Sequence, residues 1–194
     1  MWFVLLFSYQ FYILLIIMKG VIMPQMPWLE RKFNFDFPHE LHPEVMERVR
    51  GTYVRLKEMT DKCPADHLTT RLEDRWSIQE IVGHLGDCEQ LWDIRIDHIL
   101  EGREAMQGVD FSKNFTDEAN HNASGFEDVM ARFKSKRDHF IGRMDQLTTE
   151  DFARSAIHPR LNKPMRMVDL CFFIAEHDDF HLARMREMLN EFTK

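Results

Sequence analysis

The sequence predicts an all-α protein that folds as a four-helix bundle. Four long segments carry apolar residues at the spacing of amphipathic helices, and two longer connections separate them. No run shows sustained alternation of apolar and polar residues, and no Asn-Gly or Asp-Gly turn is present, so no strand is predicted. At 194 residues, the chain is long enough for one domain.

Composition and charge exclude some functions. The net charge is −7 and the pI is near 5.8, without a Lys/Arg-rich block, which argues against nucleic acid as a partner. The three cysteines are odd in number and lack C-x-x-C spacing, so they indicate a reducing compartment rather than a disulfide framework. We therefore expect the domain to be cytoplasmic.

The N-terminal extension, residues 1–23, contains an uncharged apolar run at 2–18 that is slightly shorter than the ~20 residues of a spanning helix. An over-extended reading frame, with translation starting at Met18, Met23 or Met26, is the favoured explanation, because the downstream domain does not require this segment. The alternative is a membrane anchor. In that case the basic residues that follow the run would leave the domain on the cytoplasmic side.

Residues 24–43 form a proline-punctuated lead-in that we expect to pack across the surface of the main domain, residues 44–192. The first helix begins near Pro43, since proline suits a first turn, and continues to about Thr60. Its apolar positions recur at helical spacing: Val45, Met46, Val49, Tyr53, Leu56 and Met59.

The second helix is predicted from Ile78 to about Leu100, ending before Gly102. Ser77 and Glu80 form an S-x-x-E capping box at its start. The apolar face contains Ile78, Ile81, Val82, Leu85, Cys88, Trp92, Ile96 and Ile99. His84 lies at the edge of this face.

A long polar connection, residues 103–123, precedes the third helix and is typical of a lid, a binding loop or a mobile connection. Ser124 and Glu127 predict a second capping box. The inward face comprises Val129, Met130, Phe133, Phe140, Ile141, Met144 and Leu147. We expect the charged side chains of Lys134, Lys136, Arg137 and Asp138 to be solvated.

The fourth helix, from about Met167 to Asn190, follows a connection over Asp151–Pro164 and contains His177 and His181, four residues apart. Both lie on an inward face that also includes Leu170, Ile174, Met185 (or Arg184) and Met188. Buried polar groups need partners. Either a shared metal ion or a hydrogen-bonded pair of core histidines would satisfy them.

Two motifs carry a resemblance to a known family. They are Trp76-Ser77-Ile78-Gln79-Glu80 followed by Gly83-His84-Leu85, and Ala175-Glu176-His177-Asp178-Asp179-Phe180-His181. Over roughly residues 40–190 the chain resembles the DinB/YfiT-like superfamily of metalloenzymes. The resemblance implies an up-down-down-up four-helix bundle, commonly a homodimer. It also implies a divalent metal, nickel or zinc, held by His84, His177 and His181.

Three protein ligands leave a coordination position open, as in catalytic sites. Some relatives are thiol-dependent transferases or isomerases, so the resemblance implies a low-molecular-weight thiol as a second cofactor. We expect thiol-dependent transfer to, or hydrolysis of, a small electrophilic substrate. The alternative is a non-catalytic dimeric helical module with a structural metal or metal-free core histidines.

Four further residues are candidates for the site. Glu80 and Asp178 could accept hydrogen bonds from metal-bound imidazoles, although a cap or a surface position is the simpler reading. Cys88 could lie beside the metal, one turn after His84, or be a small buried core residue. His121, in the long connection, is a speculative fourth ligand or base.

Overall fold

The computed structural model describes residues 25–110 and 115–193. The chain divides into two units, Met1–Lys32 and Phe33–Lys194. In the described part of the first unit, Trp28–Glu30 forms one 3-10 turn. The extension at 1–23 lies outside the described residues. Among the helices that are described, none combines the length and apolar character needed to cross a membrane.

Four long helices, numbered here α1 to α4, make up most of the second unit: α1 His42–Thr60, α2 Ile78–Leu100, α3 Phe126–Met144 and α4 Met167–Phe192. Single-turn helices at Ala65–Leu68 and Phe115–Glu118 lie in the connections. The predicted positions of the four helices are confirmed. Their buried residues form the apolar core, in which the predicted inward face of α4 is buried throughout.

The start of α2 is capped as predicted, whereas the start of α3 is not. Glu80 N–H donates to Ser77 Oγ (3.2 Å), and Ser77 N–H donates to the Glu80 carboxylate (2.8 Å). The capping box predicted at Ser124 and Glu127 is wrong, because Gly125 is the N-cap residue and no side chain caps this helix. Because the N-cap is Gly125 rather than Ser124, Glu127 lies one residue too early in the helix for its side chain to bond the N-cap backbone, as a capping box requires.

Helices α2 and α3 run parallel to each other. Lys136 Nζ donates to the carbonyl of Gly86 (2.9 Å), and further along both helices Arg143 Nη1 donates to Asp93 Oδ1 (3.2 Å). The connection between two parallel neighbours must return along the length of the first helix. For the 23 residues of α2 this is about 34 Å at 1.5 Å per residue. This geometry explains the long connection between α2 and α3.

Helix α4 runs antiparallel to α2. The ring of His84 lies 4.8 Å from that of His181, whereas Trp92, later in α2, lies 6.1 Å from Phe173, which is earlier in α4.

Helix α1 is antiparallel to α3, because Arg137 donates to the carbonyl of Val49 (3.1 Å), while Lys134 lies over the ring of Tyr53 (5.5 Å). Together these pairings give the predicted up-down-down-up bundle.

A β-hairpin stands where the sequence predicted only an irregular connection. Strand β1, Ser155–His158, pairs with β2, Lys163–Arg166, in antiparallel register. The prediction that the chain has no strand is wrong at this point, because four-residue strands are too short to show a periodic pattern. The turn uses Asn162 at a positive φ of 50°, without the Asn-Gly pair that marks most tight hairpins.

From Phe33 onward, the lead-in packs on the bundle as predicted. The Phe33 ring lies 5.0 Å from that of Phe173, and the Phe37 ring lies 5.4 Å from that of Phe172, both in α4. Arg166 Nη2 donates to the carbonyl of Phe37 (2.8 Å), which fixes the extended backbone beside the start of α4.

A fully buried ionic cluster joins all four helices. Arg137 of α3 is 1% exposed and donates to the carboxylates of Glu89 in α2 (2.8 Å) and Asp178 in α4 (2.6 Å). Helix α1 contributes the carbonyl of Val49 and the hydroxyl of Thr52, which donates to Asp178 (2.7 Å). Burial alone would lower the pKa of Arg137, but the two carboxylates outweigh it and raise that pKa.

The expectation that Arg137 is solvated is therefore wrong. It lies four residues after Phe133 and three before Phe140, so it shares their inward face. The other charged residues predicted for the outer face of α3, Lys134, Lys136 and Asp138, are exposed. The charge of these three residues correctly predicted their exposure. For Arg137, the position on the inward face of the helix determined its burial instead.

Candidate metal centre

Three imidazoles converge between α2 and α4. Nε2 of His177 lies 3.4 Å from Nε2 of His84 and 3.3 Å from Nε2 of His181. One ligand atom from each residue lies within 4.8 Å of the others. A tetrahedral ion with metal–nitrogen bonds of about 2.0–2.1 Å separates adjacent ligand nitrogens by roughly 3.3 Å. These two separations fit a divalent ion, and the structure brings together the three histidines that the sequence analysis named as ligands.

The electrostatics keep these side chains neutral, as metal ligands must be. Burial, assisted by the neighbouring imidazole of His177, lowers the pKa of His84 to about 3. Burial and nearby arginine charges likewise lower the pKa of His177 to about 3, and burial places that of His181 well below its ordinary value. Protons therefore compete weakly with a metal for these nitrogens.

A buried ring nitrogen and the packing of two indoles also suit the site to a metal. Nδ1 of His181 is buried and makes no hydrogen bond within the described part of the chain, so no hydrogen bond there offsets the burial of this nitrogen. The ring of Trp76 lies 4.8 Å from that of His84, and Trp92 meets the ring of His177 edge-on at 5.9 Å. These indoles restrict water around the imidazoles.

Thr116 is the partner that the sequence reasoning missed. Its hydroxyl oxygen lies 2.9 Å from Nδ1 of His84, and the side chain is buried in the single-turn helix Phe115–Glu118. If Nδ1–H donates to this oxygen, the lone pair of Nε2 points at the other two imidazoles. No periodicity or motif marks a threonine 32 residues away in an irregular connection.

We predict that Thr116→Val weakens metal binding by roughly 10–100-fold, because the valine has nearly the same shape but cannot accept from His84. Competition with a chromophoric chelator measures the affinity. Thr116→Ser, which keeps the hydroxyl, is the matched control and should stay near the wild type. Equal affinities for the valine and wild-type proteins would show that Thr116 does not orient His84.

Glu80 and Asp178 have partners other than the imidazoles. The Glu80 carboxylate accepts from Arg71 (2.8 Å) and from Ser77 N–H, and Asp178 belongs to the Arg137 cluster. Among the contacts of the described residues, neither accepts from His84, His177 or His181. The predicted orienting role is therefore not seen in these contacts, in which Glu80 pairs with Arg71 and Asp178 with Arg137.

Cys88 lies beside the site, with Sγ 3.6 Å from Nε2 of His84. Burial raises the pKa of its thiol, so the sulfur is protonated near neutral pH in the absence of a metal. His121 has a different partner, since its Nε2 lies 2.8 Å from a carboxylate oxygen of Asp87. The connection therefore brings His121 to α2, and its speculative role as a fourth ligand stays a prediction.

The His121 ring occupies the space above Gly83. A Cβ added to Gly83 would lie 2.3 Å from Cγ of His121. We predict that Gly83→Ala lowers the free energy of unfolding by about 1–3 kcal/mol through this clash, despite the better helix propensity of alanine. Urea denaturation measures the change. Gly142→Ala is the control, because nothing lies within 4 Å of its added Cβ, and it should stabilise the protein by up to about 1 kcal/mol. Equal effects of the two substitutions would contradict the contact.

Comparisons with known proteins agree with this fold. The sequence profile of the DinB superfamily matches residues 48–185. Among solved structures, the chain is similar to YfiT from Bacillus subtilis, described as a probable metal-dependent hydrolase with an unusual four-helix bundle topology. The TM-score is 0.72 at 18% identity, covering 84% of this chain and 94% of YfiT. This likeness concerns the fold. No curated protein matches the sequence.

Proposed function

The chain belongs to the DinB superfamily, and from this premise we propose that it is a metal-dependent enzyme acting on a small electrophilic substrate. Its nucleophile would be water or a low-molecular-weight thiol. The observation that carries the proposal is the convergence of three neutral imidazoles, with Nε2 of His177 at 3.4 Å and 3.3 Å from the Nε2 atoms of His84 and His181. YfiT, which has a similar fold, is itself described as a probable hydrolase.

In this proposal the bundle holds the three metal ligands in place. A divalent ion held by His84, His177 and His181 would act as a Lewis acid, lowering the pKa of a coordinated water or thiol and polarising an electrophile. Two long helices carry the imidazoles, so their mutual positions are fixed by the packing of the bundle. We propose zinc or nickel, since both accept all-imidazole ligand sets.

Metal-dependent turnover of an activated ester tests the proposal. Protein stripped with a chelator and reloaded with Zn²⁺ or Ni²⁺ is incubated with p-nitrophenyl acetate, with and without bacillithiol. We expect a metal-dependent rate that His181→Ala removes. Release of acetate without thiol would identify a hydrolase, and metal-dependent formation of an S-acetyl thiol would identify a transferase.

A rate no greater than that of free metal in buffer, with both nucleophiles, would contradict the proposal. If metal removal then lowered the melting temperature without affecting any reaction, the ion would be structural.

The predicted homodimer also stays a proposal. Light scattering of the full-length protein tests it, and a mass near 23.3 kDa, that of one chain, would contradict it.

A further inference from the structure

Arg95 is a buried arginine that pairs with no carboxylate among the described residues. It is 3% exposed, and within the described chain its guanidinium makes only two hydrogen-bond contacts. Nε donates to the carbonyl of Gln107 (3.0 Å), and Nη1 lies 3.2 Å from Nε2 of His158. The guanidinium also stacks on the indole of Trp92 at 5.3 Å.

This environment differs from that of the other deeply buried arginine. Arg137 has two carboxylates, and its pKa is raised, whereas burial lowers the pKa of Arg95 to about 10. Arg160 lies close enough to contribute to this lowering. A buried guanidinium remains charged at this pKa, and its desolvation is costly unless an anion compensates.

The contact between His158 and Arg95 indicates where a hydrogen-bond acceptor is needed. The N–H of Leu161 donates to Nδ1 of His158 (3.2 Å), so Nδ1 carries the lone pair. Burial, reinforced by Arg95 and Arg160, lowers the pKa of His158 to about 3, so the ring is neutral, and in the tautomer that accepts from Leu161 its hydrogen is on Nε2. That N–H faces the Nη1 of Arg95, which is also only a donor. Two donors 3.2 Å apart require a shared acceptor.

The side chain of Trp92 contacts both the donor pair and the metal centre. The indole contacts both the Arg95 guanidinium and the ring of His177. Its Nε1 is a further buried donor, with no hydrogen-bond partner in the described part of the chain. Cα of Arg95 lies about 16 Å along α2 from that of His84, and helical side chains lean towards the N-terminus. The guanidinium is therefore on the His84 side of its own turn.

We propose that Arg95 and His158 bind an oxyanion of the substrate, a carboxylate or a phosphate, while the electrophilic group of the same molecule lies at the three histidines. This inference rests on the proposed function and specifies its substrate class as small anionic electrophiles. After its bond to Gln107, the Arg95 guanidinium still has both terminal nitrogens to offer as a fork. One oxygen of the anion would also accept from His158 and so resolve the donor–donor contact.

Calorimetric titration of full-length protein tests the anion site, with succinate and inorganic phosphate as separate probes at constant ionic strength. Metal-loaded and metal-free proteins are both titrated, so that an anion bound to the metal is distinguished from one bound at Arg95. We expect one probe to bind in both forms and Arg95→Met to weaken it at least tenfold. The probe that binds identifies the oxyanion. Arg103→Met, on an exposed side chain paired with Glu101, should leave binding unchanged.

Other outcomes separate this inference from the proposed function. Binding that survives Arg95→Met, or that requires metal and disappears in His181→Ala, would overturn the oxyanion site and leave the metal centre intact. Binding that depends on Arg95 in a protein without metal-dependent turnover would instead retain the site and contradict the enzyme. If Arg95→Met does not fold, wild-type protein titrated with succinamide decides. If neutral succinamide bound with the same affinity as succinate, the inference would be overturned.

Discussion

Alanine at both His177 and His181 is expected to abolish metal binding and any metal-dependent turnover. Only the imidazole of His84 would remain of the three that converge, and a single neutral ligand cannot hold a first-row ion against water. We expect metal content to fall from about one equivalent to background and the dissociation constant to rise at least ~1,000-fold. Elemental analysis of untagged protein and competition with a chelator measure the two quantities.

The control for this double variant is His139→Ala, because that side chain is 64% exposed on α3. It should keep both metal content and turnover. Thermal unfolding adds an independent readout, since a ligand at 1,000 times its dissociation constant stabilises the folded state by about 4 kcal/mol. Metal should raise the melting temperature of the wild type and of the control, and not that of the double variant. Full metal content in the double variant would place the ion elsewhere.

Methionine in place of Arg137 is expected to lower the free energy of unfolding by about 3–5 kcal/mol, the largest stability effect that we predict. The substitution keeps much of the side-chain volume but leaves Glu89 and Asp178 buried without their cation. Burial already raises the pKa of Glu89 to about 7 against the opposing charge of Arg137, so loss of that charge should raise it further. Chemical denaturation near pH 8 measures the loss.

Two variants distinguish the buried cluster from a general effect of removing arginine. Arg132→Met, on the exposed side of the same helix, should change stability by less than about 0.5 kcal/mol. The triple variant Arg137→Met/Glu89→Gln/Asp178→Asn removes all three charges and should recover part of the loss. A loss below about 1 kcal/mol for Arg137→Met alone would show that the cluster contributes little to stability.

The parts of the site that the sequence predicts are those encoded by local spacing. His177 and His181 are four residues apart on a face of otherwise apolar residues, and His84 lies on the matching edge of α2. Local spacing is sufficient for the pair on α4, because a helix converts separation along the chain into direction, whereas the assignment of His84 to the same site came from the family resemblance. The capping box at Ser77 follows the same logic, since all its atoms lie within four residues.

The remaining contacts depend on tertiary structure. Thr116 reaches His84 only because two parallel helices force the connecting chain back across the bundle. Arg95 and His158 meet only because the hairpin folds against the end of α2, where Met106 N–H also donates to the carbonyl of Ile157 (2.9 Å). The sequence contains no periodic signal for contacts of this kind, and charge type alone assigned Arg137 to the wrong environment.

The ionic cluster also determines how the helices can be aligned. Apolar side chains in a helical core can exchange partners if a helix slides by one turn, about 5.4 Å, or rotates by one residue, about 100°. Asp178 cannot exchange partners in this way, because only one alignment of α4 brings it to both Arg137 and Thr52. His177 precedes Asp178 in the chain, so that alignment also fixes the depth at which it faces His84. Many apolar exchanges in this core should therefore preserve the candidate metal site, whereas a change of helix register would remove it.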